Sequence, residues 1–88
     1  VLLNQFTRDP HKKLELWWYA MACLMIERSQ VEFAGTHEQA GRTWMTLRLR
    51  DDNEFDVVQP RLSREQETRL LDGVREIVAK QRKKNRAP

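Results

Sequence analysis

Two histidines, one cysteine and one pair of adjacent aspartates are the side chains to which catalysis would fall in this chain. A zinc helix needs two histidines four residues apart. His37-Glu38 has no second histidine at that spacing, and His11 stands alone. Cys23 lies inside an apolar run, where a thiol is a small core hydrophobe rather than an activated nucleophile. Asp51-Asp52-Asn53 has the composition of a turn, whose carboxylates face water. Gly35 and Gly41 are not followed by the Lys-Ser/Thr pair of a phosphate-binding loop. The residues therefore predict a non-enzymatic chain with no catalytic, metal-binding or cofactor-binding group.

The cations carry a different chemistry. Lys80, Arg82, Lys83, Lys84 and Arg86 put five positive charges in the last nine residues. The formal +3 of the chain less these five leaves the first 79 residues at −2, so the pI of 9.4 belongs to the tail. Such a cluster, with Arg48 and Arg50 beside Trp44, is suited to salt-dependent contact with nucleic-acid phosphates. Cations at a helix C-terminus also complement its dipole with no ligand at all, and no aromatic residue interleaves with the tail. Nucleic-acid binding is thus the alternative function.

The stronger signal is Leu16-Trp17-Trp18-Tyr19-Ala20-Met21-Ala22-Cys23-Leu24-Met25-Ile26, eleven residues without a charge or an amide. Wound as a helix, this run is apolar at every azimuth, and such helices are normally enclosed on all sides. Trp17, Met21 and Leu24 form the side expected to meet the C-terminal helix. Leu16, Trp18, Tyr19, Ala20, Cys23 and Ile26 are left over, and they are the expected interface for self-association or for a partner. Chains of this size bury only about 60–65% of their unfolded surface, so a homodimer paired through this helix is the simplest way to cover them. Trp, Tyr and Met are also enriched in protein interfaces.

The elements that would position these residues can be read from periodicity. Asp9-Pro10 is a helix start, with Asp as cap and Pro at the first helical position. The helix is predicted to run to Phe33 or Ala34 and to stop at Gly35, about 25 residues or ~37 Å. Residues 35–41 read as a polar connector. The period then changes to two: Met45, Leu47 and Leu49 alternate with Trp44, Thr46, Arg48 and Arg50, and Phe55 to Gln59 return as a second strand ended by Pro60. A three-residue loop at 51–53 would pair Leu49 with Phe55, Leu47 with Val57 and Arg48 with Asp56, giving one apolar face. Ser63-Arg64-Glu65-Gln66 is a capping box, followed by Leu70, Leu71, Val74, Ile77 and Val78 on one side of a helix from about Arg64 to Gln81.

The expectation is thus a small single α+β domain over residues 1–81, in the order α-β-β-α: a long hydrophobic helix, an antiparallel hairpin and an amphipathic C-terminal helix. Residues 82–88 are expected to form a basic, disordered tail. Val1-Leu2-Leu3 is too short for a signal segment, and the apolar run falls short of the ~18–20 residues that span a bilayer, so no membrane contact is expected. One cysteine suits a reducing cytoplasm. The function expected is a small regulator or adaptor working by protein–protein contact, for instance by sequestering a transcription factor.

Overall fold

The computed structural model describes residues 2–86. After a 3-10 turn at Leu2–Gln5 come helix α1 (Pro10–Glu27), strands β1 (Glu32–Gln39), β2 (Arg42–Arg48) and β3 (Glu54–Gln59), and helix α2 (Arg64–Arg86). The class is α+β, and a third strand joins the expected hairpin, so the order is α-β-β-β-α.

Helix α1 starts as its sequence predicts. Asp9 has extended backbone, its carboxylate accepts a hydrogen bond from the His11 N–H at 2.9 Å, and Pro10 occupies the first turn. The helix ends earlier than expected, at Glu27. Ser29 adopts left-handed geometry (φ 58°), its N–H bonds to the Ile26 carbonyl, and the Gln30 N–H bonds to the Met25 carbonyl. This pair of bonds is a Schellman closure with serine in the place usually held by glycine. The turn swings Val31 into the core, where it is 6% exposed.

Residues 32–39, expected as the end of a helix and a connector, instead form strand β1. β1 and β2 are joined by Ala40 (φ 53°) and Gly41 (φ 72°), both left-handed, between the paired Gln39 and Arg42. Two left-handed residues make the tight hairpin turn whose twist matches that of the strands. Gly35 follows a bulge at Ala34, between the Phe33–Leu47 and Gly35–Thr46 pairs.

The β2–β3 hairpin keeps the expected odd-length loop but moves it by one position. Leu47 faces Phe55, Met45 faces Val57, and Arg48 faces Glu54 rather than Asp56. Leu49 N–H bonds to the Asn53 carbonyl at 2.8 Å, and Asp52 is left-handed (φ 66°). Each partner is displaced by two residues, so every side chain stays on its expected face.

The sheet, in order β1-β2-β3, turns Met45, Leu47 and Val57 toward the helices. They share one core with Leu16, Tyr19, Ala20, Ala22 and Leu24 of α1 and with Leu70 and Val74 of α2. The opposite face is polar: Arg48 pairs with Glu32 at 3.6 Å and Glu54 at 3.3 Å, tying all three strands. Helix α2 opens with the predicted capping box, Ser63 N–H to the Gln66 side chain at 3.0 Å and Gln66 N–H to Ser63 Oγ at 3.2 Å. It continues to Arg86, past the expected end at Gln81; Ala87 and Pro88 of the expected tail lie outside the described residues. Among the described residues, no helix is long and apolar enough to cross a membrane.

The β1–β2 turn generates a stability prediction. A non-glycine residue in the left-handed region costs about 1–2 kcal/mol, and Gly removes most of that penalty. Ala40→Gly is therefore expected to raise unfolding free energy by about 0.5–1 kcal/mol, read from urea denaturation; a loss of stability would contradict the turn geometry.

Candidate interaction surface

Helix α2 lies along the side of α1 that carries Tyr19, Cys23 and Glu27, one turn apart. The Tyr19 hydroxyl donates to the Glu67 carboxylate at 2.8 Å, and the Arg75 guanidinium forks onto Glu27 while also holding Asp72 at 2.7 Å. Burial, then the bond to Glu67, raises the Tyr19 hydroxyl above its ordinary value, so it stays a proton donor. Burial likewise raises the Cys23 thiol, which makes it a weak nucleophile.

This placement corrects the expected interface. Leu16, Tyr19 and Ala20 are 5%, 4% and 0% exposed, enclosed by the chain's own core and not free to meet another molecule. Cys23 and Ile26 are half-buried and pack on that same core. Of the six residues, Trp18 alone is open, at 58%. The reason is that α2 meets α1 along Tyr19 and Glu27 rather than along Trp17, Met21 and Leu24. An Asp at Leu16 would therefore unfold the chain rather than separate two copies.

The open apolar residues of α1 are Leu14 and Trp18, and Met21 and Met25, which pack partly on the core, continue the same side. Leu14 is 55% exposed, and the two methionines are half-buried. These positions follow i, i+4, i+7, i+11, which places them along one stripe of the helix. That spacing is present in the sequence, but Leu14 lies outside the charge-free run and is overlooked when the run is taken as the unit. Beside Leu14 and Trp18, a trough of about 480 Å³ opens against Phe55, Val57 and Val58 of β3, with His11, Glu15 and Asp56 as its polar members. β3 is an outer strand of the sheet, so its free edge borders the trough.

The polar candidates are dispersed. His37 sits on the outer face of the sheet, its Nδ1 3.3 Å from Thr46 Oγ1 and its Nε2 3.7 Å from Asp56. The Thr46 hydroxyl donates to Asp56 at 2.8 Å, so its proton is directed to the carboxylate and not to the imidazole. Asp51 binds Asn53 within the β2–β3 turn. Among the described residues, no three His, Cys, Asp or Glu side chains gather closely enough to hold a metal ion. Arg48 is engaged by two glutamates, whereas Arg50 is exposed in the turn. Lys80, Arg82 and Lys83 are exposed on α2, with Lys80 3.5 Å from Glu76, and Lys84 and Arg86 belong to the same helix.

The Glu27–Arg75 pair gives the α1–α2 seam a pH dependence. Its hydrogen bonds to Arg75 hold the Glu27 carboxyl below its ordinary value. A carboxyl more acidic in the folded chain than in the unfolded one stabilises the fold above the ordinary carboxylate range and ceases to do so as pH falls through the lowered value. The urea midpoint should thus be higher for the wild type than for Glu27→Gln at neutral pH, and the two should converge in acid. A constant gap across that range would remove Glu27 as the titrating partner.

No protein-family model matches this chain, and no curated protein or solved structure matches it either.

Proposed function

We propose that this chain is a small, non-enzymatic regulatory or adaptor protein that works by protein–protein contact through the outer side of α1. The observation that supports this is the exposed pair Leu14 and Trp18, continued along the helix by the half-buried Met21 and Met25, beside the apolar trough against β3. Isolated exposed apolar residues are ordinary, but a continuous stripe with an adjoining trough is the form of a surface that another chain covers. A side chain more than half exposed, as Leu14 and Trp18 are, has on the order of 1–2 kcal/mol still to gain from burial. A second copy of the chain is the simplest occupant. An amphipathic helix of a heterologous protein, such as the dimerisation helix of a transcription factor, is the other occupant with matching chemistry. The single free cysteine suits the reducing cytoplasm as its location.

Because Trp18 projects from the fold, Trp18→Glu should leave the circular dichroism spectrum and melting temperature nearly unchanged. Sedimentation velocity should show self-association in the wild type and its loss in Trp18→Glu. A wild type that stays a single copy at high concentration rejects the homodimer, and a Trp18→Glu chain that still associates rejects the stripe.

Nucleic-acid binding remains the second function, favoured by the extension of α2 to Arg86, which presents Lys80, Arg82 and Lys83 on an exposed helical end. Anisotropy titrations with duplex and single-stranded DNA at low salt test it against a Lys80→Glu/Arg82→Glu/Lys83→Glu variant. Binding that disappears in the variant and weakens steeply with salt supports this function. Absence of binding by the wild type rejects it.

A further inference from the structure

A cleft of about 450 Å³ opens away from α2's seam, between the N-terminal segment, the first turns of α1 and the connection from β3 to α2. Three cations line it, Lys12, Arg42 and Arg61, against one carboxylate, Glu15. Phe6, Leu16 and Leu62 give it apolar walls. The local folding explains this convergence. The tight turn at Ala40-Gly41 starts β2 at Arg42, and Pro60 follows directly on β3, so that Arg61 reaches back to donate to the Gly41 carbonyl at 3.3 Å. Lys12 and Glu15, one helical turn apart, rise from α1 on the other side.

The cations are under-used. Arg42 spends one bond on Glu15, at 3.0 Å, out of the five N–H groups of a guanidinium, and its side chain is 40% exposed. Lys12 has no ion pair among the described residues. A half-buried guanidinium with free donors, next to two further positive charges and an apolar wall, is complementary to a planar oxyanion carried on a hydrophobic body. We infer that this cleft binds a small organic carboxylate with an aromatic or branched aliphatic body. The apolar walls disfavour a bare inorganic anion. Glu15 competes with the ligand for Arg42 and so limits its affinity.

The test uses phenylacetate as probe, with phenylacetamide and inorganic phosphate as comparison ligands, followed by ¹H–¹⁵N correlation spectra of the whole chain. Phenylacetate should shift the amides around Lys12, Arg42 and Arg61 saturably, and the other two ligands should act weakly or not at all. Arg61 is exposed, so Arg61→Ala should keep the dispersion of the folded spectrum and bind about tenfold more weakly, the scale of one charge-assisted hydrogen bond. Glu15→Gln should bind about threefold more tightly, an effect that loss of structure would not produce. Equal shifts with phenylacetamide, shifts confined to the basic end of α2, or indifference to both substitutions would each overturn the assignment. Stronger binding of phosphate than of phenylacetate would overturn the carboxylate class.

Discussion

Everything in this fold depends on α2 lying along α1. Helix α1 is apolar over most of its circumference, and the sheet alone covers only part of it. Leu70 and Val74 of α2 are fully buried, and together with Leu47 they form the centre onto which both layers close. The polar bonds at the seam are arranged around that centre: Tyr19 to Glu67 toward one end, Glu27 to Arg75 toward the other. Exposed pairs of the latter kind add little to stability, because solvent screens them. Their larger effect is to fix the rotation of one helix against the other, and that rotation decides which side of α1 is hidden.

The same rotation links the core to the outer surface. With Tyr19 and Cys23 turned toward α2, and Leu16, Ala20 and Leu24 buried in the core, Leu14 and Trp18 come to flank β3. There they wall a trough together with Phe55, Val57 and Val58. On the outer face of the sheet, the contacts of Arg48 with Glu32 and Glu54 use a strand arginine for cohesion. A side chain that reads as a phosphate contact in a linear sequence is thus a cross-strand brace in three dimensions.

Much of this was legible from residues alone. Asp9-Pro10, the Ser63–Gln66 box and the Met45/Leu47 alternation each state a local rule that the fold obeys. What could not be read was decided by contacts distant in sequence. Glu32 to Gln39 has no apolar alternation, and it is a strand because β2 offers it partners; its residues are exposed except for the half-buried Gly35 and His37. Ser29 takes a conformation that serine does not favour by itself, and the burial of Val31 accounts for it. The hairpin slip of one loop position preserves both faces, so the side-chain pattern alone could not distinguish the two registers. Which residues of α1 lie buried is illegible for the same reason: an all-apolar helix gives no azimuthal signal, and the docked sheet and α2 supply one.

The outermost position of β1 has a consequence for colloidal behaviour. Its edge offers unpaired backbone groups to any passing chain, the usual seed of fibrillar growth. Yet the strand is kinked at Ala34 and carries Glu32 and Glu38 near its two ends. A bent edge with charged side chains near both ends is a poor template for an incoming strand, so the sheet resists runaway extension on that flank.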